Sequence, residues 1–274
     1  MMRIIYWFEL IIAHLIYWSG AYWLRRRRLE QEGASAVLVY HRVREGRGGV
    51  GRMVGEHNFE AQMAYVAEHC RPVEWDGLVN ADGEGIQVLV TFDDGYRDFF
   101  TRALPVLERR NIPVVLFAAT ELVFNQRLIE DTDEADDEVF PTADDLEKAK
   151  QSSVVSVGNH TATHRFFSGL SIKECDDELA RSQAAIQQHL GLRPKVFAYP
   201  RGRKQDLRDD AAAVFKKHSI QAAFTMIPGL VDTDTQAYAI PRVGMSHVNN
   251  EVLFKVKLLG MLNGLVNLKN RLKR

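Results

Sequence analysis

The chain has little cysteine and no charge imbalance. Two cysteines among 274 residues, Cys70 and Cys175, form no Cys-x-x-Cys pair, which argues against a zinc site built on thiolates. Two thiols fit a reducing compartment and equally allow one disulfide. Lys and Arg number 35 against 36 Asp and Glu, for a formal net charge of -1. No global field therefore favours nucleic acid or an anionic surface. Gly46-Arg47-Gly48-Gly49-Val50-Gly51 formally fits GxGxxG, but no apolar helix opens behind it, so it reads as a basic loop rather than a nucleotide site. The acidic run Glu130–Glu138 reads as a solvated loop.

What the chain does have begins at its N-terminus. Residues 4–24 are mostly aliphatic and aromatic and are followed by Arg25-Arg26-Arg27-Arg28. About 20 such residues suffice to cross a bilayer. Tyr6, Trp7, Tyr17, Trp18, Tyr22 and Trp23 resemble interfacial aromatics, whereas Glu9 and His14 interrupt the run. The positive cluster follows the apolar run instead of preceding it, which argues against a cleaved signal peptide. The expectation is a membrane-associated helix, spanning or interfacial, with a buried packing helix as the alternative. If it spans, the arginines and the domain behind them stay on the cytoplasmic side.

After Gly33 short apolar runs alternate with amphipathic ones. Strands are expected at Val37–Tyr40, Val73–Trp75, Val88–Phe92, Val114–Ala118, Val154–Val157, Val196–Tyr199, Ala222–Thr225 and Tyr238–Val243. Helices are expected from Asn58, over 98–110, from Thr142, from the capping box at Ser171–Glu174 to about His189, and over 206–218. The alternation implies a parallel sheet, open or closed into a barrel, with ligands meeting the C-terminal strand ends. His41, Asp93, Asp94, His160 and Arg201 each follow an expected strand, which gathers them on one rim. Residues 251–274 are basic, with apolar residues at helical spacing, and suit either a membrane surface or the flank of the barrel.

Thr91-Phe92-Asp93-Asp94-Gly95-Tyr96 and His160-Thr161-Ala162-Thr163-His164 supply two adjacent carboxylates and two imidazoles. Neighbouring acids repel, so one must be neutralised by a proton or a metal. A metal on one leaves the other free to accept a proton from bound water. Gly95 permits the turn that brings both into one pocket. The i, i+4 spacing of the histidines puts both on one side of a helical turn, where Asn159 and Thr161 could orient the rings.

These two stretches resemble the first and second motifs of the polysaccharide deacetylase family (the NodB-homology, carbohydrate esterase 4 type). Phe197-Ala198-Tyr199-Pro200-Arg201-Gly202 resembles its third motif, with Arg201 in place of the usual aromatic. Val39-Tyr40-His41-Arg42-Val43 resembles the opening of the subgroup acting on poly-N-acetylglucosamine. The resemblance covers roughly residues 35–245, with no clear match to the late Leu-x-His motif. It implies an α/β fold, a distorted (β/α) barrel of about seven parallel strands. It implies Asp93 as general base, His41 as general acid, and Asp94, His160 and His164 as ligands of one divalent metal, zinc above Co, Ni or Mn. Pro200 and Arg201 would serve the oxyanion and the substrate.

The expected organisation is a membrane-associated helix and basic linker (1–34), a catalytic domain (35–248) and a basic amphipathic helix (249–274). The expected activity is hydrolysis of carbon–nitrogen, non-peptide bonds: removal of N-acetyl groups from N-acetylhexosamine units of a polysaccharide or lipid-linked saccharide at a membrane surface. Nucleic acid is not an expected partner. An O-acetyl esterase on the same scaffold and an inert glycan-binding module are the alternatives.

Overall fold

The computed structural model describes residues 2–44, 53–78, 85–129, 139–245 and 250–265, with backbone alone for 2–5. The glycine-rich segment 46–51, the acidic run, His247 and residues 266–274 lie outside the described residues. Two helices come first, α1 (Met2–Trp18) and α2 (Ala21–Glu32). They are divided at Gly20, whose φ of 83° is left-handed. The apolar stretch expected over 4–24 is thus split. Among the described residues no helix is long and apolar enough to cross a membrane.

The sheet begins with β1 (Ser35–Tyr40), then β2 (Arg42–Arg44) and β3 (Met53–Gly55), which pair with each other. Helix α3 (Glu56–His69) starts two residues before the expected Asn58. β4 (Arg71–Pro72) and a 3-10 turn at Trp75–Gly77 replace the strand expected at Val73–Trp75. β5 (Gln87–Asp94) is followed by a π-helical turn at Phe99–Ala103 and α4 (Leu104–Arg109). Next come β6 (Val114–Ala118), α5 (Thr120–Val123), α6 (Ala143–Gln151), β7 (Val155–Asn159) and α7 (Ile172–Leu190). The chain continues through β8 (Val196–Ala198), α8 (Ala212–Lys217), β9 (Ala222–Phe224), β10 (Val243–Gly244) and α9 (Glu251–Leu258). Thr142 caps α6 and the Ser171/Glu174 capping box starts α7, as the sequence leads one to expect; at α6 Asp145 completes a second box beyond that expectation. Helix α8 is shorter than the span 206–218, because 3-10 turns at Lys204–Asp206 and Asp209–Ala211 take its first half.

Seven parallel strands run in the order β10-β1-β5-β6-β7-β8-β9, and β4 pairs with the start of β5 where β6 does not reach. Segment 240–244 touches both edges of this curled sheet. Ile240 bridges Phe224 of β9, while Val243 pairs with Leu38 of β1. This is the distorted (β/α) barrel expected from the motifs.

Strand parity then assigns side chains. Alternate residues point to opposite faces. Val37, Leu89, Val115, Phe117, Val196 and Phe224 pack together in one cluster. Leu38, Tyr40, Val88, Val90, Phe92, Val114 and Leu116 face the other way, against α3 and α4. Strands buried on both faces need near-continuous apolar sequence, which Val88-Leu89-Val90 and Val114–Ala118 provide. Leu89, Thr91 and Asp93 share parity, so Asp93 continues the inward-facing row. Helix α9 buries Leu253, Phe254, Val256 and Leu258 and packs on α1 and α3. Its described turns therefore flank the barrel.

Candidate active site

Strand β5 ends on a backbone device. Asp94 has φ 74°, and the Gly95 N–H donates back to the Asp93 carbonyl at 3.0 Å, closing a γ-turn over Asp94. The turn swings Asp94 away from the parity of the strand, so both carboxylates reach the same end of the barrel. Gly95 is needed twice over. Its φ is 91°, and a Cβ there would lie 2.4 Å from Val123 Cγ2. The third motif repeats the device: Arg201 has φ 57°, and the Gly202 N–H donates to the Pro200 carbonyl at 2.7 Å.

The histidine motif is not a helical turn, contrary to the expectation from its spacing. Residues 160–164 form an irregular loop after β7, with left-handed Thr161 (φ 67°) and His164 (φ 62°). Buried Glu178 of α7 holds this loop. Its carboxylate accepts the Ala162 and Thr163 N–H groups at 3.0 and 2.9 Å and the Thr163 hydroxyl at 2.9 Å. Asn159 does not orient a ring: its Oδ1 accepts the Thr161 N–H at 2.8 Å, shaping the backbone instead. The hydroxyl of Thr161 has no partner among the described residues. The His160 ring is set by β8. Nδ1 lies 2.8 Å from the Ala198 carbonyl, which can only accept, so Nδ1 carries a proton and Nε2 is the nitrogen left to serve as a ligand.

These elements bring Asp94, His160 and His164 together. The Nε2 atoms of both rings lie 3.4 and 3.3 Å from one oxygen, Asp94 Oδ1. All three residues are buried, and their ligand atoms lie within 4.8 Å of one another. Lone pairs on two imidazoles and a carboxylate repel unless a positive charge sits among them. Two nitrogens and one oxygen are also the donors a zinc-type divalent ion takes. The residues fit such an ion. Burial would raise the Asp94 carboxyl; with no ion between them the two rings would have to meet it as protonated donors, and those contacts outweigh burial and hold it well below the usual range.

Asp93 is clasped by a residue that sequence reasoning missed. Arg242 donates from Nη1 and Nη2 to the two Asp93 oxygens, each at 2.7 Å, and from Nε to the Thr225 carbonyl at 2.8 Å. Arg242 stands between Ile240 and Val243, on the segment that touches both sheet edges, and its side chain enters the barrel there. Burial would raise the Asp93 carboxyl, but Arg242, with His160 and His41, keeps it below the ordinary carboxylate value. Arg42 and Arg44 were also missed as partners of Asp98, at 2.7 and 3.3 Å. Burial pushes Asp98 up to about 6 despite both arginines. Arg42 also sits 4.6 Å over the Tyr96 ring. Residues 96 and 98 thus fix the strand that follows His41.

His41 leaves β1 almost fully buried, close enough to act electrostatically on both Asp93 and Asp94. Pro200 is buried beside Tyr199, whereas Arg201 is exposed with its guanidinium 4.2 Å over the Phe166 ring. Two of the histidines without catalytic assignment have clear structural partners. His218 pairs with Asp176 at 2.7 Å, and His189 stacks on Phe124. Cys70 and Cys175 are free thiols.

The family model described as polysaccharide deacetylase matches residues 80–223. The Bacillus subtilis (strain 168) protein YxkH is 24% identical over 225 residues, spanning 80% of this chain and 74% of that one. A poly-beta-1,6-N-acetyl-D-glucosamine N-deacetylase of Staphylococcus epidermidis is 26% identical over 175 residues, 61% of this chain and 57% of that one. The structure of IcaB from Ammonifex degensii superposes with a TM-score of 0.66 at 23% identity, covering 83% of this chain and 97% of that one.

Proposed function

Since the chain belongs to the polysaccharide deacetylase family of hydrolases, we propose that it removes N-acetyl groups from an N-acetylhexosamine glycan, using one divalent ion held by Asp94, His160 and His164. The observation that carries this reading is the pairing of a three-ligand cluster with a second carboxylate, Asp93, that Arg242 keeps ionised. The name of the Staphylococcus epidermidis relative supports a polymer of N-acetylglucosamine as the substrate class.

When bound, the ion supplies Lewis acidity for the acetyl carbonyl and lowers the pKa of its water toward ~7. Asp93 takes a proton from the attacking water. Arg242 holds both of its oxygens in place, so no reorientation is needed at that moment. An amine leaves an amide only when protonated, and in this reading His41, buried and within the field of both carboxylates, supplies that proton. The N–H of Arg201, at the tip of its γ-turn, assists the oxyanion, and its side chain borders the sugar site.

The test is acetate release from polymeric and lipid-linked N-acetylhexosamines, before chelation, after it, and after adding back Zn²⁺ or Co²⁺. Asp93→Asn is the control. Release that tracks the metal and fails in Asp93→Asn supports the reading. Metal bound at full occupancy with no acetate from any acetylated glycan means an inert glycan-binding module.

A further inference from the structure

Helix α1 carries apolar residues on two sides, and only one of them is used by the fold. Ala13 is fully buried, and Tyr6, Leu10, Ile16 and Tyr17 pack on the core beside α9. On the opposite side Trp7, Phe8, Ile11, Leu15 and Trp18 are each 56% or more exposed. Positions 7, 11, 15 and 18 recur at i, i+4, i+8 and i+11, which keeps them in one stripe along the helix. The stripe continues onto α2. Trp18 and Trp23 both pack against Tyr17, with ring centroids at 5.5 and 5.8 Å, and Trp23 and Leu24 are 57% and 75% exposed. Exposed Arg27 and Arg28 follow within one turn. Contiguous apolar patches of this kind are unusual on a soluble surface unless something covers them.

We propose that this face is a monotopic membrane anchor: α1 lies in the plane of an anionic bilayer surface, with Trp7, Ile11, Leu15, Trp18 and Trp23 in the acyl boundary and Arg27 and Arg28 at the phosphates. Three observations favour a bilayer over a protein partner. Tryptophan concentrates at membrane–water interfaces, and three of the four tryptophans of the chain stand on this one face. Charge is absent from the stripe and appears, as arginine, where it ends; that is the arrangement of an interfacial helix on acidic lipid. The opposite side of α1 is glued to the barrel, so the helix is held flat along the protein rather than free to cross. The inference is independent of the proposed chemistry.

The test uses the full chain with phosphatidylcholine vesicles, with and without phosphatidylglycerol. The protein should float with vesicles, its tryptophan emission should shift to the blue, and brominated lipid should quench it. Ile11→Glu with Leu15→Glu should weaken partitioning at least about tenfold. Arg27→Glu with Arg28→Glu should remove the gain from phosphatidylglycerol, several-fold per charge pair. Both pairs are exposed, so acetate release from a soluble oligomer and the thermal midpoint should stay unchanged, which separates loss of anchoring from loss of fold. Absence of flotation and of any emission shift with either lipid would overturn the proposal. So would a dimer that Ile11→Glu dissolves, because a second copy would then be what covers the face.

Discussion

Arg242 meets Asp93 through two parallel 2.7 Å hydrogen bonds, across a separation of 149 residues, with its side chain wholly buried. A fork of this kind fixes the plane of the carboxylate as well as its charge. In Arg242→Met the carboxyl stays buried while its cation is gone, so the neutral form gains. Its folded pKa, now depressed, moves up. Asp93 works as a base only above that pKa, so the acid limb of kcat/KM should move to higher pH. Breaking one side of a buried pair should also cost about 3–5 kcal/mol in urea unfolding. Arg242→Lys should recover part of the pH profile but not the full rate, since a point charge cannot grip both oxygens. An unmoved acid limb would mean that Asp93 is not the titrating base.

The three-ligand cluster gives a prediction that does not depend on turnover. An ion that binds only the folded chain stabilises it by about 2.7 kcal/mol at a hundred times its dissociation constant. At roughly 2–4 °C per kcal/mol for a chain of this size class, chelation should lower the thermal midpoint by about 5–10 °C. Asp94→Asn keeps a residue that tolerates the left-handed φ at this position but removes the charge. Its midpoint should not respond to chelator, and elemental analysis should find it depleted of metal. A chelator effect of the same size in Asp94→Asn would place the ion elsewhere.

Glu178 touches no atom of the metal cluster, yet it holds the loop that carries both histidines. Its removal leaves the buried Ala162 N–H and the part-buried Thr163 N–H and hydroxyl without this acceptor. Glu178→Ala should therefore cost about 2–3 kcal/mol of stability. Metal affinity should drop about 10–100-fold, the usual effect of losing a group that orients ligands. Glu178→Gln retains one acceptor and should lie between. Competition titration with a chromogenic chelator reads the affinity, and urea unfolding reads the stability. Unchanged metal affinity in Glu178→Ala would show that the loop keeps its shape without this brace.

Much of the barrel was legible because strands buried on both faces must be apolar runs bounded by turns. Val114–Ala118, the cap at Thr142 and the capping box at Ser171 fall where sequence places them. What short-range pattern could not show was geometry made by long-range closure. Nothing near Pro241-Arg242-Val243 indicates that residue 242 will face Asp93, because that follows from the segment joining β9 to β1. The His160/His164 spacing suggested a helix, but left-handed φ values and Glu178 impose a loop that brings the same two rings together. Nothing in the sequence around Asp98 shows that β2 carries Arg42 and Arg44 onto it. The split of the apolar N-terminal run at Gly20 was visible as a glycine, but its left-handed turn was not.

His41 offers a way to separate amide from ester chemistry. An alkoxide can leave an ester with little help, whereas an amine must be protonated as the C–N bond breaks. His41 lies within the field of Asp93 and Asp94, and Arg42, pinned to Asp98, fixes the backbone immediately after it. With the acid removed in His41→Ala, acetate release from N-acetylglucosamine oligomers should fall about 10²–10⁴-fold. Release from an O-acetylated analogue should fall far less, and metal content should be unchanged, because His41 is not among the three ligands. Equal losses on both substrates would remove His41 as the acid and assign it to binding. A preserved amide rate would move the proton donor to another group at the rim.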